Sequence, residues 1–193
     1  MASADEIAVL RIELQGIEPL IWRRVAVSTA MNLMDVHAVI QAAMGWLDSH
    51  LWELEANSRR YAMRLPSEPE WNERYEDAET VRLESFLHGG VRRMNYVYDI
   101  GDYWEHALIV ERVTAPLLNV TYPQFLGGER RCPPEDCGGV PSYYEFIENI
   151  GSEDSAQRKS ALDWYGGPYD PDDIDKQKTI TALRRIARGG AKA

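Results

Sequence analysis

The chain has 193 residues, 45% hydrophobic and 27% charged, the balance of a folded globular protein rather than a disordered one. A formal net charge of -10 gives a surface that repels phosphate backbones, so no nucleic-acid partner is expected. No apolar run reaches the roughly 20 residues that cross a bilayer, and the start MASADEIAVLRIELQG lacks the basic opening and apolar stretch of a secretory signal. A cytoplasmic protein without a membrane partner follows as an expectation.

The first elements alternate. In IAVLRIEL, Ala8, Leu10, Ile12 and Leu14 share one side against Val9, Arg11 and Glu13, the period of a half-buried strand. GIEPL breaks it, and LIWRRVAV predicts a second strand. In STAMNLMDVHAVIQAAMGW the apolar residues Leu33, Val36, Ile40 and Ala43 recur at helical spacing, with Asn32 placed to cap the start and Gly45 the end. HLWELEAN predicts a third strand. The stretch RLPSEPEWNERYEDAET is polar, proline-bearing and aperiodic, which predicts a surface excursion.

RMNYVYDI and YWEHALIVERV carry the strand signal again, with Trp104, His106, Leu108 and Val110 on one face and Ile100-Gly101-Asp102 as a tight turn between the two. FLGGERRCPPEDCGGVP is rich in Gly and Pro and predicts an ordered loop, placed near the Asp102 turn. SYYEFIENIG, SEDSAQRKSALDWYGG and DIDKQKTITALRRIARGG each predict a helix. The expectation is one α+β domain over 1–193, its core from about residue 7 to about 188, with a mixed or antiparallel sheet, packed helices and a helical C-terminal region.

Taken in order, PLIWRRVAV, HAVIQAAMGWLDSHLWEL, YVYDIGDYWEHALIVE, GGERRCPPEDCGGVPSYYEF and PYDPDDID resemble the plasmid pRiA4b Orf-three-like family, which also carries a transposon-passenger label of TnpR type. The most specific parts are G-D-x-W-x-H, here Gly101, Asp102, Trp104 and His106, and P-P-E-D-x-G-G, here Pro133, Pro134, Glu135, Asp136, Gly138 and Gly139. The resemblance implies a compact α+β domain and supplies no catalytic residues. The TnpR-type label would imply a recombinase, but no nucleophilic serine stands among arginines and no basic helix-turn-helix follows. Arg184, Arg185 and Arg188 form a basic helix end, which complements the helix dipole.

The residues that could carry chemistry gather around YDIGDYWEH. Carboxylate and imidazole ligands suit Mg, Mn, Fe or Zn, which makes Asp99, Asp102, Glu105 and His106 candidates, yet strand alternation sends His106 and Glu105 to opposite faces. His106 would need distant partners such as His50, His37 or the Glu135-Asp136 pair. The bland reading has Asp102 tying its turn through backbone N–H groups and His106 as a core residue beside Trp104. An arginine of Trp22-Arg23-Arg24 could pair with Asp102 or Asp136, or hold an anionic ligand against Trp22, Trp104 or Tyr98. Cys132 and Cys137 are expected reduced, because two thiols alone fall short of a tetrahedral zinc site.

The candidate pocket is therefore Trp22, Arg23, Arg24, Tyr98, Asp102, Trp104, His106, Glu135 and Asp136, with His50, Asp102, His106, Cys132 and Cys137 as candidate metal ligands. The leading expectation is a noncatalytic binding or accessory module of a mobile-element-associated family, its partner a small molecule or a protein. The alternative is a metal-dependent enzyme acting through His106 and nearby carboxylates. No cofactor is named by the residues. Three oxygen or nitrogen ligands converging in space would favour a metal, whereas an arginine-paired Asp102 and a hydrogen-bonded core His106 would favour scaffolding.

Overall fold

A computed structural model describes residues 6–189, so the first five and last four residues of the predicted domain lie outside the described residues. The strands are β1 (Ile7–Leu14), β2 (Ile21–Ser28), β3 (Trp52–Ala56), β4 (Arg59–Ala62), β5 (Glu76–Asp77), β6 (Arg93–Tyr98), β7 (Trp104–Thr114) and β8 (Gln124–Glu129). They form one sheet in the order β5-β4-β3-β6-β7-β1-β2-β8. Neighbours pair antiparallel except β4 with β5, so the sheet is mixed only at that edge. The helices are α1 (Leu33–Met44), α2 (Pro69–Arg74), α3 (Leu83–His88), α4 (Gly139–Gly151), α5 (Ser155–Tyr165) and α6 (Lys176–Ala187), giving an α+β fold with a helical C-terminal region.

Side-chain parity decides what each strand faces. Ala8, Leu10, Ile12 and Leu14 are wholly buried in the main core, while Ile7, Val9 and Ala26 form a small separate cluster against Tyr122. α1 covers the core face of β2 and is itself packed by α6, which also reaches β8. Its buried stripe is Leu33, Val36, Ile40 and Ala43, with His37 and Gln41 on the same side. Asn32 Oδ1 accepts the Asp35 amide at 2.8 Å, and Gly45 ends the helix in the left-handed region. Truncating a fully buried member of this stripe, such as Ile40, leaves a cavity costing about 2–5 kcal/mol.

Two expectations change. The polar excursion after β4 contains the short α2 and the two-residue β5, held to β4 as a parallel edge. The predicted loop FLGGE is β8, paired with β2 from Trp22–Glu129 to Ala26–Gln124. Its glycines serve close approach rather than turning: a Cβ on Gly128 would stand 2.8 Å from both Arg23 Cδ and the Trp22 carbonyl oxygen. The strand can lie flush over Arg23 only without a side chain there.

Candidate functional site

His50 lies on the connection between α1 and β3, and a closed ring of hydrogen bonds holds that connection. Gln41 Nε2 donates to Tyr96 Oη at 2.9 Å, Tyr96 Oη meets His37 Nδ1 at 2.8 Å, and His37 Nε2 meets Asp48 Oδ1 at 2.8 Å. The Asp48 amide closes the ring on Gln41 Oε1 at 3.0 Å. The self-consistent assignment has Tyr96 donating to Nδ1 and His37 donating from Nε2 to the carboxylate. His37 also stacks on Trp52 with ring centroids 4.2 Å apart. Both of its ring nitrogens are engaged in this frame.

Three carboxylates surround the His50 ring. Nε2 is 2.9 Å from Asp136 Oδ1, 3.6 Å from Asp99 Oδ2 and 3.9 Å from Glu135 Oε2. Asp99 ends β6 in the left-handed region, where its Oδ1 accepts the Gly101 amide at 2.9 Å and the Asp102 amide at 3.3 Å. Those bonds fix the carboxylate with Oδ2 toward His50. Glu135 accepts the Leu47 amide at 2.5 Å and the Tyr98 hydroxyl at 3.1 Å, while Tyr98 Oη receives the Ser49 amide at 3.0 Å. Burial, opposed by the Ser49 hydrogen bonds, pushes the Tyr98 phenol up to about 12, so it keeps the proton it donates to Glu135. Burial also holds the Glu135 carboxyl above its usual range.

One ligand atom each from His50, Asp99 and Asp136 lies within 4.8 Å of the others. Among the described residues no Lys or Arg pairs with Asp99, Glu135 or Asp136. One imidazole with several carboxylates is a donor set for a hard or borderline divalent cation.

The remaining sequence candidates divide by position. Trp22 and Arg24 lie on the sheet face opposite the core: Arg24 makes a bidentate pair with Glu111 at 2.7 Å for both bonds, and Arg11 sits 4.0 Å over the Trp22 ring. Arg23, one residue between them, points inward and is 1% exposed. Among the described residues no arginine pairs with Asp102 or Asp136, so the pairing weighed in the sequence is not made. Asp102 does not tie its own turn either. Asp99 does that, and Asp102 Oδ2 instead accepts the Gly138 amide at 2.8 Å, drawing the P-P-E-D loop against the β6–β7 turn as expected from the sequence.

His106 and Trp104 lie in the core, His106 against the Tyr96 and Trp46 rings and Trp104 against the Trp46 ring. His106 Nε2 receives a long 3.4 Å contact from Trp46 Nε1, and its Nδ1 has no partner in good hydrogen-bond geometry. Burial pulls its pKa down to about 4, against the pull of the Trp104 and Tyr96 carbonyls. Cys132 and Cys137 are free and buried; burial pushes both thiols up, Cys137 to about 11 with the Asp102 charge adding to it. Among the described residues, Asp102, His106, Cys132 and Cys137 join no group of three metal-ligating side chains. Of the predicted ligands only His50 does, and Asp99, weighed in the sequence as a partner of His106, is a partner of His50.

Beside this group lies a cleft of about 380 Å³, reached by Arg23, Trp46, Cys132, Glu135, Trp164 and Lys178. Glu135 lines the cleft and also faces His50, so the two features share a wall. Trp46, Trp164 and Lys178 carry no local pattern that marks them, since their meeting depends on α6 packing against α1 and α5 against α4.

The mixed sheet with its six helices and helical C-terminal region makes this an α+β protein, with a histidine–carboxylate group beside a cleft. The profile for plasmid pRiA4b ORF-3-like protein matches residues 6–178, and the chain belongs to that family. It is 39% identical over 158 residues to the uncharacterized protein y4hQ of Sinorhizobium fredii, covering 81% of this chain and 79% of the relative. Its fold is similar to the crystal structure of MM3350, a protein of unknown function from Methanosarcina mazei Go1, with a TM-score of 0.81 and 26% identity over 91% of this chain and 98% of that one. Among the described residues no helix is long and apolar enough to cross a membrane.

Proposed function

We propose that this chain is a noncatalytic binding module whose ligand centre is a divalent cation held by His50, Asp99 and Asp136. The observation supporting it is the convergence of one nitrogen and two carboxylate oxygens within 4.8 Å. Glu135, 3.9 Å from His50 and anchored by Leu47 and Tyr98, borders the set without belonging to it. An accessory role in a cytoplasmic, mobile-element setting belongs to this proposal, supported by the plasmid origin in the family description. The metal-dependent enzyme reading has support only with His50 in place of His106, because His106 is wholly buried away from the carboxylates.

Thermal melts and isothermal titration of chelator-treated protein with Zn, Mn and Mg test the reading. One of these ions should raise the melting temperature, with the rise lost in both His50→Ala and Asp99→Asn. No saturable binding of any of the three, or binding unchanged in both variants, overturns it.

A further inference from the structure

The Arg23 guanidinium is the cation of this core with the least conventional surroundings. Its Nε donates to the Ala43 carbonyl at 2.9 Å, and Nη1 donates to the Trp22 and Glu129 carbonyls at 2.8 and 2.9 Å. Among the described residues Nη2 makes no hydrogen bond and the side chain pairs with no carboxylate. A guanidinium stays protonated inside a protein, and a buried charge without a counter-charge is costly. The chain accommodates it by aiming three backbone carbonyl dipoles at Nε and Nη1, which leaves one nitrogen uncommitted in a residue that lines the cleft.

The other charges of the cleft are unequally available. Asp175 caps α6 through the Lys178 amide, and Glu135 is engaged by Leu47 and Tyr98. Arg131 is paired with Asp173 at 3.0 Å. Lys178 pairs with no carboxylate among the described residues, so it and Arg23 are the two cations free to meet a ligand. Trp46 and Trp164 supply aromatic walls, and about 380 Å³ is within the roughly 300–1,000 Å³ typical of small-molecule sites.

We infer that the cleft binds a small organic carboxylate with a flat apolar body, its acid group between Arg23 and Lys178 and its ring against Trp46 and Trp164. A carboxylate can accept from Arg23 Nη2 with one oxygen and from the Lys178 ammonium with the other. A bare inorganic anion would leave the aromatic walls unused. This site does not depend on the cation at His50, although Glu135 borders both.

The experiment is isothermal titration with benzoate, indole-3-acetate, phenyl phosphate and inorganic phosphate, run in chelator on the full chain. One aromatic carboxylate should bind saturably and more tightly than inorganic phosphate. Lys178→Glu changes an exposed residue and should preserve the fold while weakening that binding about tenfold or more, by placing repulsion where attraction stood. Arg23→Met should abolish it, and His50→Ala should leave it unchanged, which separates this site from the cation centre. The inference is overturned if no aromatic carboxylate binds at concentrations of about 1 mM, if phosphate binds more tightly, or if Lys178→Glu binds as the parent does.

Discussion

The Asp102 carboxylate accepts the Gly138 amide at 2.8 Å, so a turn between two strands supplies the helix cap that α4 does not supply for itself. Gly138 occupies the N-cap position without a side chain, and the acceptor arrives from thirty-six residues earlier. An acidic group at this end also complements the helix dipole. Gly139 makes the approach possible, since a Cβ there would meet the Asp102 carbonyl oxygen at 2.9 Å. Asp102→Ala should cost about 1–2 kcal/mol and Asp102→Asn about half as much, because Asn keeps an acceptor and loses the charge. Urea unfolding followed by circular dichroism measures both; equal losses in the two variants would show that charge, not acceptance, is what matters.

The ring linking Gln41, Tyr96, His37 and Asp48 should make a single hydroxyl expensive to remove. Tyr96→Phe preserves the aromatic packing but strands Gln41 Nε2 and His37 Nδ1 in a buried setting. About 2–4 kcal/mol should be lost, from two unsatisfied groups at about 1–3 kcal/mol each with some relaxation. The double change Tyr96→Phe with Gln41→Leu should recover part of that loss, which differential scanning calorimetry can resolve.

His106 gives the fold an acid sensitivity with a defined sign. Its folded pKa is about 4 against 6.5 for an unperturbed histidine, so between those values the unfolded chain takes up a proton that the folded chain refuses. Stability therefore falls as pH drops below about 6.5 and the contribution is fully lost below about 4, amounting to roughly 2 kcal/mol by pH 5. The rings around His106, namely Trp46, Trp104 and Tyr96, do not ionise in that window. His106→Gln should flatten the stability profile from pH 7 to 5 relative to the parent; parallel profiles would assign the acid loss to other groups.

Duplex DNA should not be bound appreciably, given the net charge of -10. Anisotropy titrations with random and terminal-repeat duplexes at about 150 mM salt should show no saturation tighter than about 10⁻⁴ M. Micromolar binding, traced to Arg184, Arg185 and Arg188 by charge reversal, would restore a recombination role.

Legibility in the sequence followed the range of the interactions. The caps at Asn32 and Gly45 and the alternation from Ala8 to Leu14 are local, and both stand in the structure as the pattern predicts. β8 was hidden because Gly127 and Gly128 look like turn residues until β2 and Arg23 are brought beneath them. His50, Asp99, Glu135 and Asp136 were each visible as ligand types, but the sequence centred them on His106, where the family motif is densest. Parity along β7 buries His106, whereas His50 sits on a connection that the Asp48–His37 bond holds and meets the Tyr98 ring edge-on, contacts that no local pattern reveals. Arg23 could be distinguished from Arg24 by the same parity, but its lack of a carboxylate partner could not.

The His50 group and the cleft are completed at different points along the chain. His50, Asp99 and Asp136 have all appeared by the end of the P-P-E-D loop, whereas the cleft draws its far wall from Trp164, Lys178 and Ala182. During synthesis from the N-terminus, His50, Asp99 and Asp136 leave the ribosome before the residues that form the far wall of the cleft. The far wall of the cleft is thus supplied last, by residues of α5 and α6.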